Sequence, residues 1–187
     1  MITPGRWPPV YDFDSLALQI KELVSNHGIF EVFYQYSQQF DPALCQGDIV
    51  HFRSPFPVID KDGDISTIDN GYSNWVILGN TCDLDRDIHD AEYSHISPLF
   101  ELKSDEPERI LNGLKSYGSY KKFYIPCWDQ KVHPGYLIDF TTMCSVHKSC
   151  LFNEKLVSVL ARMGRISWLL LHSCIVRYLA RDDGRHA

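Results

Sequence analysis

Apolar residues recur along this chain in two rhythms. After Phe13-Asp14-Ser15, the residues Leu16, Ile20, Leu23 and Val24 fall at helical spacing, with cap residues in front and Gly28 behind. Ile29, Val32, Phe33, Tyr36 and Phe40 continue at intervals of three and four, which predicts a second helix ahead of Asp41-Pro42. From Gly47 the rhythm shortens to β-type runs bounded by turn residues: GDIVHF, FPVI, WVILG, YSHISPLFEL, KKFYIP and GYLIDFTTMCSV. They predict an antiparallel sheet or a small barrel. Between them, Ser104 and the acidic turn Asp105-Glu106-Pro107 precede Ile110, Leu111, Leu114, Tyr117 and Gly118, which predicts a capped crossover helix. The C-terminal part predicts two helices, 153–163 and 167–181, broken at Gly164, with Arg177 and Arg181 at the negative end of the last dipole.

This order of elements divides the chain without separating it into domains. Residues 1–45 read as an N-terminal arm and helical cover, 46–150 as the β core with its inserted helix, and 151–187 as helices packed on that core. No linker, repeat or low-complexity tract interrupts them. A chain of 187 residues buries roughly 70% of its unfolded surface as one domain. With 44% apolar and 13% aromatic residues, it is far from the composition that keeps a chain disordered.

Charge and cysteine usage narrow the function classes. A net charge of -6 and a pI near 5.7 disfavour a nucleic-acid surface, which needs Lys and Arg against phosphates. The six cysteines at 45, 82, 127, 144, 150 and 174 look like a disulfide set. MITPGRWPPVYDFDS, however, lacks a charged start and an apolar secretory core, so the expectation is a reducing, cytoplasmic setting with free thiols. The longest apolar segment, ISWLLLHSCIVRYLA, contains His172 and Arg177 and falls short of the roughly 20 apolar residues of a membrane span. It reads as a core helix.

Candidate chemistry centres on NTCDLDRD, where a buried strand hands over to an accessible loop. Cys82 is placed for nucleophilic work, with Asp83 beside it and a base drawn from elsewhere in space, His51, His89, His95 or His133, of which His51 is taken as the candidate. The competing reading makes Cys82 a small buried hydrophobe and Asp83 and Asp85 turn formers that accept hydrogen bonds from their own loop. His51 and Arg53 share one strand face, opposite Val50 and Phe52, as a base and charge clamp or as a solvated face. DKDGDISTIDNG imitates a calcium loop through Asp60, Asp62 and Asp64, but Ile65 stands where that loop needs glycine and no Glu closes it. A hairpin turn on Asp62-Gly63 is expected there. Cys127, His133, Cys144, His147 and Cys150 do not match zinc spacing, and neither a metal nor a cofactor is expected. Trp7 and Tyr11 in the Pro-rich N-terminal arm are candidate partner contacts.

Two resemblances add to this reading. At GDIVHFRSPFPV, WVILGN and YSHISPLFEL, residues 47–102, the chain resembles the PemK/MazF-like toxins, RNA-cleaving proteins with an SH3-like barrel. Their active-site arginine stands just before the Val-rich strand and a Ser or Thr follows the next strand. Here Ser73-Asn74 and Pro98-Leu99 occupy those places, so the resemblance implies the barrel without the ribonuclease residues. Over residues 46–181 the order of strands and the LARMGRISWLLLHSCIVRYLAR ending resemble an uncharacterised group of bacterial and prophage proteins in which a Val-rich strand ends in Cys-Asp-Leu or Cys-Asp-Ile. That implies a phage-defence or toxin–antitoxin setting. The fold expected is therefore α+β: a small antiparallel SH3-like β-barrel with N-terminal helices, one crossover helix and C-terminal helices. The expected function is a non-enzymatic partner-binding or accessory component with a protein partner, a homodimer being compatible and a membrane not. The alternative is a PemK/MazF-like ribonuclease or a Cys-dependent hydrolase at Cys82 and Asp83.

Overall fold

Strand pairing across long sequence distances decides which of these rhythms becomes sheet. The computed structural model describes residues 13–27, 34–35, 43–52, 56–59, 62–68, 73–127 and 134–180. Trp7, Tyr11, Arg53 and His133 lie outside the described residues. In chain order the elements are α1 (Phe13–His27), β1 (Tyr34–Gln35), β2 (Ile49–Phe52), β3 (Phe56–Ile59), β4 (Ile65–Ile68), β5 (Asn74–Ile77), α2 (Thr81–Asp85) and β6 (Tyr93–Glu101). There follow α3 (Glu108–Lys115), β7 (Lys122–Ile125), β8 (Tyr136–Asp139), β9 (Cys144–His147), α4 (Lys148–Leu151), β10 (Val157–Met163) and α5 (Arg165–Leu179).

The protein is α+β, with an eight-stranded antiparallel sheet in the order β1-β10-β2-β5-β6-β8-β7 and β9 also paired to β6. The path ends at β1 and at β7, and no pairing among the described residues closes it. The sheet is open where a barrel was expected. β3 and β4 form a separate hairpin with Ile59 opposite Ile65, and Gly63 at φ +86 takes the left-handed turn position, as expected for Asp62-Gly63.

Both sheet faces are covered, which explains the unbroken apolar run WVIL. Val76 and Leu78 join Ile49, Ile138 and Phe123 in a core with Ile20 of α1 and Leu170, Leu171 and Cys174 of α5. Trp75 and Ile77 join Val50, Phe52 and Ile96 in a second core, closed by Leu44, by Leu84 of α2 and by Leu151 of α4. Alternation along one strand thus feeds two cores.

Three expected elements are corrected. Residues 157–163 form a strand, not part of a helix: β10 pairs with β2, placing Val157 opposite Phe52 and Val159 opposite Val50. Tyr34 and Gln35, expected in a second helix, pair with Met163 and Arg162 of the same strand. The run GYLIDFTTMCSV is two strands, β8 and β9, separated by a 3-10 turn at Phe140–Thr142 that the Asp139 side chain caps. That interruption accommodates Pro98 in the middle of β6. Leu99 pairs with Ile138 and Ile96 with Cys144, so Ser97 and Pro98 face the turn, where a missing N–H breaks no ladder. Ser97 fills the gap, its hydroxyl 3.3 Å from the Thr142 Oγ1.

Where β5 ends, the backbone of Gly79 passes against β6. A Cβ added at Gly79 would lie 2.0 Å from the Ser94 Oγ and 3.2 Å from the His95 amide nitrogen. Gly79→Ala is expected to lower stability by about 1–2 kcal/mol through overpacking. The buried Ser94 hydroxyl has no hydrogen-bond partner among the described residues, so Ser94→Ala alone should be neutral or stabilising and should relieve most of the Gly79→Ala penalty. Urea denaturation of the two single variants and the double variant checks this, and additive effects would contradict it.

Candidate functional site

Residues 43–48 enter β2 through a turn that the rest of the protein holds from inside. Gly47, at φ +91, supplies the turn. Asp48 is fully buried. Its Oδ1 accepts from the Arg162 Nε at 2.8 Å, and its Oδ2 accepts from the Arg162 Nη2 at 2.8 Å and from the Cys45 amide at 2.9 Å. The same guanidinium donates to the Ala43 carbonyl at 2.7 Å. One bidentate pair therefore fixes both the first strand residues and the loop before them.

Gln46 does the same from the other side. Its Oε1 accepts from the Trp168 indole and from the His172 Nδ1, each at 3.0 Å, while its Nε2 donates to the Leu78 carbonyl at 2.7 Å. Because an indole only donates, this network fixes the orientation of the Gln46 amide and places the proton of His172 on Nδ1. The Gln46 backbone N–H donates to the Thr81 Oγ1 at 3.0 Å, tying the loop to α2.

NTCDLD is a short helix and not only a strand terminator. The Asn80 side chain caps it by accepting from the Cys82 amide at 2.9 Å, and buried Leu84 anchors it on the second core. Its far end is held by Lys148, a lysine only 1% exposed. The Lys148 Nζ donates to the Asp83 carbonyl at 2.8 Å and to the Arg86 carbonyl at 2.6 Å. The Asp83 carboxylate lies 3.2 Å from the Arg86 guanidinium on the surface.

Between these pieces lies an open cleft of about 550 Å³. The loop Ala43–Cys45 forms one wall, Thr81, Cys82 and the Leu84–Arg86 end of α2 another, and Phe152 beyond α4 the third. Leu44 and Leu84, at 7% and 3% exposure, give it an apolar floor, and Phe152, at 49%, an aromatic lip. Cys82 and Asp85 line it and are exposed.

The structure brings Cys82 and Asp85 together but separates them from His51. Val50 and Phe52 pack in the core that contains Leu84, so His51, alternating with them, projects from the opposite sheet face. No histidine lines the cleft among the described residues. Among the described residues no three His, Cys, Asp or Glu side chains converge as a metal site requires. No helix of the described residues is long and apolar enough to cross a membrane. The anchors Asp48, Gln46, Lys148 and Arg162 and the lip Phe152 were not singled out in the sequence. The one local signal was the Gly47-Asp48 pair opening a strand.

None of the six cysteines is in a disulfide. Burial pushes the Cys174 thiol up to about 12, with Arg177 pulling weakly the other way, and pushes Cys144 up to about 11. Since the thiolate is the reactive form, iodoacetamide at neutral pH should modify exposed Cys82 well before Cys144 and Cys174. Peptide mass mapping over time checks the order, and Cys174 labelling as fast as Cys82 in folded protein would contradict it. No family model matches this chain, and the comparison with curated proteins gives no significant match.

Proposed function

We propose that the protein is a non-enzymatic binding module that engages a protein partner through the cleft between residues 43–45, α2 and Phe152. The observation that carries this reading is the use of buried and half-buried polar groups around the cleft. Asp48, Arg162, Gln46 and Lys148 all hold its walls in place, and none presents a reactive atom to it. A wall fixed before binding loses little conformational freedom on binding, which is how a small surface gains affinity. A half-exposed phenylalanine at the lip is a residue type enriched at protein interfaces. A Cys-dependent hydrolase would need a base beside Cys82, and among the described residues the cleft offers an exposed carboxylate and no histidine. Placement of the partner in a phage-defence or toxin–antitoxin-type system rests on the sequence resemblance alone.

Native-cell affinity purification with quantitative mass spectrometry tests the reading. Phe152→Asp and Cys82→Arg should each reduce partner recovery at least about tenfold, while Leu179→Asp, on an exposed position of α5, should leave it unchanged. Recovery unaffected by both cleft substitutions would overturn it. So would a hydrolytic or ribonuclease activity that Cys82→Ser abolishes in a folded protein.

A further inference from the structure

Resting on that reading, we propose that the cleft receives a cationic-apolar segment of the partner, an aliphatic or aromatic side chain flanked by Lys or Arg. The apolar half of the specificity comes from the floor. Leu44 and Leu84 are continuous with the second core, Phe152 extends that surface outward, and the thiols of Cys45 and Cys82 add polarizable surface with little demand for hydrogen bonds. The Thr81 hydroxyl, which lines the same wall, accepts from the Gln46 backbone amide and keeps its O–H donor for a polar group at the edge. An apolar side chain entering over Leu44, Leu84 and Phe152 displaces water from surface that cannot bind it well.

The cationic half comes from the rim. Asp85 lines the cleft and is exposed, and its carboxylate makes no hydrogen bond or ion pair among the described residues. Its neighbour Arg86 is held by Asp83 at 3.2 Å, so the guanidinium at the rim is already compensated. From residue 83 to 92 the chain carries five carboxylates, Asp83, Asp85, Asp87, Asp90 and Glu92, against Arg86. Lys148 adds one cation below, buried and turned toward backbone carbonyls. With Arg86 paired to Asp83, Asp85 is the uncompensated charge of the cleft lining among the described residues, in a chain of net charge -6, which favours Lys or Arg beside the anchor over acidic residues.

Four capped, fluorescein-labelled probe peptides of identical length test this, with the central triplets Lys-Phe-Lys, Glu-Phe-Glu, Lys-Ser-Lys and Ser-Phe-Ser in Gly-Ser flanks. Anisotropy measures binding, and slower iodoacetamide labelling of Cys82 reports whether binding is in the cleft. Lys-Phe-Lys should bind at least about tenfold tighter than the other three, weaken from about 50 to about 300 mM salt, and protect Cys82. Asp85→Lys should reverse the preference toward Glu-Phe-Glu. Equal or tighter cleft binding by Ser-Phe-Ser or Glu-Phe-Glu would overturn the charge specificity while leaving the cleft as the partner site. Equal binding by Lys-Ser-Lys would reduce the site to an acidic patch and overturn the proposal. Failure of every probe to protect Cys82 would also overturn it, and the effect of Phe152→Asp on native partner recovery would then show separately whether the partner-binding reading stands.

Discussion

Asp48→Ala is expected to lower the stability of the fold by about 3–5 kcal/mol, the range for removing one partner of a buried ion pair. Asp48 is inaccessible to solvent, and its two oxygens accept from the Nε and Nη2 of Arg162 and from the Cys45 amide. Its loss takes the carboxylate acceptors from a guanidinium whose side chain is only 21% exposed, and takes the acceptor from the Cys45 amide. Asp48→Asn keeps an acceptor for one of these donors but loses the charge, so it should fall between wild type and Asp48→Ala. Arg162→Met should cost a comparable amount, because it leaves the carboxylate buried against one amide. The double variant should cost clearly less than the sum, since it leaves no uncompensated charge. The local readout is Cys45: with its loop released, the thiol should alkylate faster in Asp48→Ala. A loss under about 1 kcal/mol in urea denaturation, with Cys45 reactivity unchanged, would show that the pair does not hold the cleft wall.

The importance of that pair was hidden in the sequence because its partners are 114 positions apart. Local signals were legible where local forces decide. The helical spacing of Ile20, Leu23 and Val24 gave α1, that of Ile110, Leu111 and Leu114 gave α3, although it starts at Glu108 after Pro107 with no side-chain cap where Ser104 was expected, and Asp62-Gly63 gave the β3–β4 turn. They failed where pairing overrides them. Leu156, Val157, Leu160 and Met163 also satisfy a helical period, yet the segment is a strand because β2 lies alongside and accepts the ladder, with a register shift between Val159 and Ala161 that gives Val157 and Val159 to the second core and Ala161 and Met163 to the first. The same strand captures Tyr34 and Gln35. In GYLIDFTTMCSV the apolar rhythm runs on through a 3-10 turn, and only Asp139, capping Thr141 at 2.9 Å, marks the break.

The site was legible to a similar depth. WVILGNTCDLD identifies the end of a buried strand, and Cys82 and Asp85 do lie at an accessible edge. Asn80 as a cap with Leu84 four residues on is a readable helix start, weakened by the helix being five residues long. What converts this corner into a cleft comes from elsewhere: the loop before β2, the residue after α4 and a lysine whose length reaches under the helix. Pairing Cys82 with His51 failed on a single parity. A strand residue flanked by two members of one core must face the other.

Lys148→Met is expected to lower stability by about 2 kcal/mol and to act mainly on α2. Two terms oppose each other. Methionine keeps the aliphatic bulk and removes the cost of burying an ammonium whose described partners are two carbonyls, Asp83 at 2.8 Å and Arg86 at 2.6 Å. Against that, two charge-assisted hydrogen bonds are lost and both carbonyls lose a donor, at about 1–3 kcal/mol for each group left unsatisfied. The second term wins because α2 has five residues and little hydrogen bonding of its own to fall back on. Lys148→Arg should not rescue it, since a planar fork does not place one nitrogen between two carbonyls as an ammonium does. In hydrogen exchange the amides of residues 82–86 should open before the sheet, and Cys82 should label faster although it was already exposed. Partner recovery should fall as it does for Phe152→Asp, with the sheet intact. Unchanged exchange at residues 82–86 would mean that Leu84 alone holds the helix and that the buried lysine has no part in shaping the cleft.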